Sequence, residues 1–175
     1  MRSVYTLRQW SIIMNEIIIR SMDASDLVVV WGINQENVPA VGEETLEDLA
    51  KVHEQCVIAL VAEVSGTIAG FCMVLLPDAD YGSPNFKFFC DRLDDFVYLD
   101  RVAVTSEFQG MGIGAALYSE VEKLSDATWF ALEVNTKPRN EGSLRFHARE
   151  GFVQMEELET RPGKMVSLMV KKLKG

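Results

Sequence analysis

The 175-residue sequence holds only three cysteines, Cys56, Cys72 and Cys90, with no Cys-x-x-Cys spacing, and only two histidines, His53 and His147. That scarcity excludes a disulfide framework and a structural zinc site, and reads as reduced thiols in a cytoplasmic protein. Long apolar runs are missing too. Glu63 interrupts the stretch that begins at Cys56 and Pro77 closes the one that begins at Phe71, so no segment approaches the roughly 20 residues that cross a bilayer. The start, Met1 to Met14, carries Arg2 and Arg8 but lacks an uninterrupted apolar core and a small-residue cleavage site, which disfavours a secretory leader. Met14 can equally serve as the first residue, which makes 1–14 a dispensable extension. Positive charge is in deficit, 17 Lys and Arg against 26 Asp and Glu for a net −9. That balance argues against a nucleic-acid partner and favours a cationic small molecule. At 48% hydrophobic and 25% charged the chain matches a globular protein, long enough for a full core without staples. With no repeat, low-complexity tract or long linker, residues 1–175 read as one domain.

Periodicity divides the chain into alternating elements. A β-rich run from Glu16 to Arg20 precedes Asp23, Ser25 and Asp26, residue types that cap a helix, and a helix through about Trp31 follows. Asn34 to Gly42, with Pro39 inside it, breaks that helix, and Glu43 opens a second one with Leu46, Leu49, Ala50 and His53 on one face. His53 belongs to that buried stripe. Val57 to Val64 and Thr67 to Leu76 are strands joined at Ser65-Gly66, a hairpin signal. Pro77 to Asp95 has turn residues and the aromatics Tyr81, Phe86, Phe88 and Phe89 without a clean period, and reads as a long excursion covering a site or a homodimer contact. The strand Phe96 to Val104 leads through a glycine-rich turn into a helix from about Gly112 to Leu124. Strand Trp129 to Asn135, helix Asn140 to Glu150 closed by Gly151, and strands near Phe152 to Glu159 and Met165 to Leu173 complete the chain, the last pair joined at Arg161-Pro162-Gly163-Lys164. The order predicts one mixed sheet with helices on its faces.

The chemistry points to the turn Gln109-Gly110-Met111-Gly112-Ile113-Gly114-Ala115. Glycines let the backbone approach a ligand, and free N–H groups at a helix start attract an anion such as pyrophosphate. The turn lacks the Gly-Lys-Ser/Thr ending of a P-loop and the order and location of a Rossmann fingerprint. Its plainer reading is a tight strand-to-helix connection.

Context decides between these. Gln109-x-x-Gly112-x-Gly114, preceded by Asp100-Arg101-Val102-Ala103-Val104-Thr105 and followed by a helix, resembles the acetyl-CoA pyrophosphate motif of the GNAT superfamily of N-acetyltransferases. Downstream, Leu132-Glu133-Val134, then Asn140, then Phe146-His147-Ala148-Arg149-Glu150-Gly151-Phe152 is similar to that family's strand and its helix ending in Phe-Tyr-x-x-x-Gly-Phe. The resemblance implies an α/β (α+β) fold: a mixed, mostly antiparallel sheet of about seven strands with helices on both faces, in the order β-α-α-β-β-β-α-β-α-β-β. It further implies that acetyl-CoA lies between the Phe96–Val104 and Trp129–Asn135 strands. Backbone N–H groups of Gln109, Gly110, Met111, Gly112, Ile113, Gly114 and Ala115 would then hold its pyrophosphate, and Val102, Ala103 and Val104 would pair with its pantetheine arm. Asn140 matches a cofactor-contacting position and reads equally as a helix cap. Basic residues common in the family's turn are missing at Gly110 and Met111, so Lys137, Arg139 and Arg145 are candidates to balance the phosphates.

The same resemblance places His147 where many members carry a Tyr that protonates the departing thiolate. A histidine, with a reference pKa of about 6.5, can donate a proton near neutrality; packing along the cofactor is the alternative. Transfer to a primary amine also needs a base, because the amine is mostly protonated at pH 7. Glu133 matches a base of the branch that acetylates ribosomal-protein N-termini, and Asp100, placed by strand alternation on one face with Tyr98, Val102 and Val104, is the other candidate. Each reads alternatively as a structural carboxylate paired with Arg101 or Arg149. The backbone N–H of Val102 or a neighbour would face the developing oxyanion. The variable parts, Asn34 to Gly42 and Arg161 to Lys164, would build the acceptor pocket, with Asp91, Asp94 and Asp95 as an acidic rim. The function so implied is direct acetyl transfer to a primary amine, without a metal or an acetyl-cysteine; the competing reading is a non-catalytic acyl-CoA-binding or regulatory module.

Overall fold

The computed structural model describes residues 16–174; the Met1 to Met14 expectations lie outside them. Strand β1 (Ile17–Ser21) leads into helices α1 (Leu27–Glu36) and α2 (Leu46–Gln55). Strands β2 (Ile58–Val64) and β3 (Thr67–Leu75) form the expected hairpin, and helix α3 (Pro84–Cys90) precedes strand β4 (Phe96–Val104). Then come helix α4 (Ile113–Leu124), strand β5 (Trp129–Lys137), helix α5 (Glu141–Arg149) and the hairpin of β6 (Val153–Arg161) with β7 (Lys164–Lys172). One seven-stranded sheet results, in the order β1-β2-β3-β4-β5-β7-β6. Every pairing is antiparallel except β4 with β5.

The alternation of β3 shows why helices cover both faces. Phe71, Met73 and Leu75 pack with Val30 and Ile33 of α1 and Leu49 of α2, whereas Cys72 and Val74 join Ile113, Leu117 and Val121 of α4. Both sets are fully buried, so β3 reads as a near-continuous apolar run, as a two-sided strand must.

Two helix boundaries near the start of the chain differ most from the sequence reading, and β5 runs on to Lys137. Helix α1 continues to Glu36, because Asn34 is buried and its amide donates to the Gly42 carbonyl at 3.0 Å, tying the helix end to the loop that follows. Helix α2 starts after Thr45, whose hydroxyl caps the Asp48 N–H at 3.1 Å. The Pro77 to Asp95 excursion is also not wholly irregular: it contains α3, an element the expected order lacked. Ser83 caps its start, Pro84 occupies its first turn, and Phe86, Phe88 and Phe89 bury themselves against the sheet. Seven residues with aromatics on most sides carry no 3.6-residue signature, and burial holds such a helix where propensity does not.

Candidate active site

β4 and β5 pair for only three residues, Phe96 with Trp129, Val97 with Phe130 and Tyr98 with Ala131. Beyond them β5 pairs with β7 alone, so a gap opens between β4 and β5 toward their C-terminal ends. β4 also bulges there. Met73 faces Arg101 and Val74 faces Leu99, which leaves Asp100 as the extra residue. The bulge overturns the expectation that Asp100 shares a face with Tyr98, Val102 and Val104. Tyr98 packs against the α1–α2–α3 layer, while Val102 and Val104 pack on the α4 side.

The turn from Gln109 to Gly112 enters α4 through Gly112, the residue before its first turn, which has φ +85°. A cavity of about 560 Å³ runs along Val102, Ala103 and Val104 to this turn and is walled on its far side by Phe146 and Arg149 of α5. The first amides of α4 have no partner within the helix by geometry and point along this groove. Gly114 serves a different end: a Cβ there would lie 3.0 Å from Phe146 Cζ, so its absence lets α5 pack against α4. The Val104 carbonyl accepts from Asn37 and Gln109 side chains, each at 3.3 Å. Asn140 caps α5 by accepting the Ser143 N–H at 3.1 Å, and its side chain lines the groove as well, so the two roles weighed for it coexist geometrically.

A second cavity of about 170 Å³ adjoins the first, sharing Val102, Asn140, Ser143 and His147 as walls. Glu133 faces it. Tyr98 donates to one carboxylate oxygen at 2.7 Å and the Asn85 amide of α3 donates to the other at 3.1 Å. Burial pushes this carboxyl up to about 7, with the charge of Asp100 adding to the rise; the Tyr98 and Asn85 hydrogen bonds and the charge of Lys164 oppose it. A carboxyl so placed exchanges its proton near neutrality, as a base for amine chemistry must.

Asp100 is in a different state. Its side chain is 3% exposed, one oxygen accepts from Arg101 Nε at 2.6 Å and the other from the Tyr81 hydroxyl. Arg101 is equally buried and reaches Asn34 of α1 at 3.1 Å and Glu44 at 3.2 Å. This network fastens the bulge to the α1–α2 link. With both oxygens engaged, Asp100 is held in this network and helps fix the shape of the strand. Arg149, the other partner weighed for the carboxylates, instead lines the groove.

His147 lies at the junction of the two cavities but is only 3% exposed. Nδ1 is 2.7 Å from the Ser143 carbonyl, which fixes the proton on that nitrogen, and Nε2 therefore accepts the Tyr118 hydroxyl at 2.8 Å. Burial lowers its pKa to about 4, so at pH 7 the ring is neutral and holds no second proton to give. This state is unlike that of the acid expected by resemblance: the ring is held between the Ser143 carbonyl and the Tyr118 hydroxyl. A His147→Phe variant is expected to lower stability by about 1–3 kcal/mol, since it strands the buried Tyr118 hydroxyl, and to lower kcat less than tenfold. A melt combined with steady-state rates checks this; an unchanged melt with a hundredfold loss of kcat would return His147 to the acid role.

A third cavity, about 500 Å³, opens outward between Pro39 and Ala40 of the α1–α2 link and Arg161 to Lys164 of the last hairpin, the two segments expected to build an acceptor pocket. Asp91, Asp94 and Asp95 are not among its walls. Asp95 instead binds the N–H and hydroxyl of Thr128 where β5 begins, so the expected acidic rim is absent from the mouth. Arg139 lines this outer cavity, paired with Glu141, and not the groove beside the Gly112 turn. His53, half-buried on α2, faces the Met22 carbonyl at 3.3 Å. Asn85, Ser143 and Asn37 were not singled out in the sequence, and Tyr81 was marked only as an aromatic of the excursion; Asn85 and Tyr81 lie in that excursion, which has no period to mark them.

Comparison with known proteins agrees with this geometry. The model of the acetyltransferase (GNAT) family matches residues 22–152, and the chain belongs to that family. It is an acetyl-CoA-dependent acyltransferase. Comparison with curated protein sequences finds no match. Among solved structures it is similar to Ard1 from Thermoplasma volcanium, with a TM-score of 0.73 at 21% identity over 91% of this chain and 99% of that one. It is also similar to the ribosomal-protein-S18-alanine N-acetyltransferase from Escherichia coli, with a TM-score of 0.70 at 17% identity over 91% and 96%. The structure of yncA from Salmonella typhimurium with its cofactor acetyl-CoA gives 0.67 at 20% identity over 91% and 95%. These likenesses establish the fold. Among the described residues no helix is long and apolar enough to cross a membrane, and no group of three or more His, Cys, Asp or Glu could hold a metal ion.

Proposed function

We propose that the protein transfers an acetyl group from acetyl-CoA to a primary amine by direct attack in a ternary complex, with Glu133 as the base. The observation that carries this reading is the position of Glu133 at the inner end of the β4–β5 gap, with its carboxyl held near 7. When bound, acetyl-CoA supplies the activated acetyl thioester. The residues present fit it: the groove is long and open, and the Gly112 turn offers helix-start amides to its phosphates. Arg149 on the opposite wall supplies a positive charge. Val102, which lines both inner cavities, lies where a backbone N–H would meet charge developing on the carbonyl oxygen.

Glu133 takes the proton that the ammonium must lose before its nitrogen can attack. A departing thiolate, whose parent pKa is about 8.5 for a cysteine-like thiol, leaves near neutrality without a strong acid, which agrees with a neutral His147. Direct attack is also supported by the thiols. Burial pushes Cys56 and Cys72 up to about 12, far from thiolate character, and none of the three cysteines lines these cavities.

The test is a thermal melt with acetyl-CoA, using ATP as a polyanion control, followed by amine-dependent CoA release. At about 100 times Kd the ligand adds about 2.7 kcal/mol, a shift of roughly 5 to 10 °C. A shift with ATP alone, or CoA release that no primary amine accelerates, overturns the proposal.

A further inference from the structure

The inner and outer cavities meet at Lys164, which lines both. Its side chain is partly buried; its charge acts on Glu133 across the inner cavity, but among the described residues no carboxylate forms an ion pair with its ammonium. Arg161, across the two-residue turn, lines the outer cavity and is likewise unpaired among the described residues. Of the carboxylates nearest in sequence, Glu159 is held within the same turn, where it accepts the Gly163 N–H at 3.0 Å, and Glu141 pairs with Arg139. In the inner cavity Arg101 is neutralised by Asp100 and Glu44. The outer cavity, where the acceptor would enter, is lined by Arg139, Arg161 and Lys164 against the single carboxylate Glu141, a local excess of cation in a chain of net charge −9. This local sign opposes the cationic partner that composition alone favours.

The other end of the inner cavity has a complementary gap in its hydrogen bonding. Asn85 spends its amide N–H on Glu133, while its Oδ1 is buried and has no partner. A buried carbonyl oxygen without a donor is costly, and a primary amine brings the N–H that satisfies it. An amine at Asn85 and Glu133 and an anion at Lys164 would each meet an otherwise unmatched group.

We infer that the acceptor is a primary amine carrying an anionic group, with its nitrogen set between Glu133 and Asn85 and its carboxylate, phosphonate or similar group on Lys164, reinforced by Arg161. The inference rests on the amine-acceptor reading and narrows it. The same chemistry can come from a free amino-acid-like molecule or from a peptide whose acidic side chain lies next to its N-terminal amine.

Steady-state CoA release separates these cases. The probes are alanine, β-alanine and 4-aminobutanoate, each against its carboxamide; 1,3-diaminopropane; and a tetrapeptide with Asp at its second position against the same peptide with Asn. At least one carboxylate is expected to exceed its amide by about tenfold or more in kcat/KM, the factor that one charge-assisted hydrogen bond supplies. Lys164→Gln should bring that ratio toward one. Asn85→Ala should lower kcat/KM for every amine by a common factor and leave the ratio in place. Discrimination among the small amines identifies a free molecule, and discrimination only between the peptides identifies a polypeptide N-terminus. Preference for the amides or the diamine, or a ratio that Lys164→Gln leaves intact, overturns the inference while the amine reading stands. If no amine of any charge accelerates CoA release, both fall.

Discussion

A Glu133→Gln variant is expected to lose about a hundredfold or more of its kcat/KM at pH 7, the contribution of a well-placed general base. The fold should tolerate the change. The carbonyl of the introduced carboxamide can still accept from Tyr98, and Asn85 can turn its amide over so that its oxygen, now unpartnered, meets the new NH2 group. The signature is the pH profile. In the wild type kcat/KM rises through about pH 7 as Glu133 ionises, whereas the variant shows no such limb. It instead recovers by up to about tenfold per pH unit as the acceptor amine, with a pKa near ~10, loses its own proton in solution. Equal activity of the two proteins at pH 7 removes Glu133 from the mechanism.

Stability supplies an independent reading of the same group. The carboxyl is raised in the folded state from 4.5 to about 7, so between those values the folded chain binds more protons than the unfolded one. Its contribution is therefore complete below about 4.5 and lost as pH rises through 7, roughly 3 kcal/mol in full. Glutamine does not titrate, and the gap between the melts of variant and wild type should move in the variant's favour across that window.

Gly112→Val is expected to abolish acetyl-CoA binding, seen as loss of the ligand-induced shift in the melt. Nothing in the protein lies within 4 Å of a Cβ at this position, so the chain has room for the side chain. The cost to the fold is the left-handed backbone at φ +85°, about 1–2 kcal/mol for a residue with a Cβ and more for a branched one. The cost to binding is larger, because the added methyl groups stand where phosphate oxygens must approach the first amides of α4. Gly114→Ala makes a useful contrast. Its methyl would press on Phe146, so the damage falls on α4–α5 packing first. Retained acetyl-CoA affinity in Gly112→Val would reduce the turn to a connection.

What the sequence revealed and what it hid follow from how each feature is encoded. β4 was legible to the residue, Phe96 to Val104, because an apolar run ending at a glycine turn is written locally. The strand-turn-helix unit and the Asn140 cap were legible for the same reason. The bulge at Asp100 was not. Alternation along one strand cannot show that its neighbour skips a residue, and the error grouped Asp100 and Tyr98 with Val102 and Val104, which pack on the opposite face. Nor can a sequence show that His147 sits beside Tyr118, 29 positions away, in a pocket that removes its charge. α3 carried too few residues for a period, which concealed Asn85. The misplaced acidic rim has a simpler cause: Asp91, Asp94 and Asp95 precede β4 and so lie at the opposite end of that strand from the gap.

The short register between β4 and β5 also has a mechanical side. Among the described residues, three residue pairs, Phe96 to Tyr98 with Trp129 to Ala131, are the only strand-to-strand seam joining a four-stranded leaf, β1 to β4, to a three-stranded leaf, β5 to β7. A ligand arm that bonds to the free edge of β4 and lies against α5 would act as a splint across that seam. The loaded molecule would then be the stiffer one, with the two leaves least firmly joined at the moment when substrates must enter and products leave.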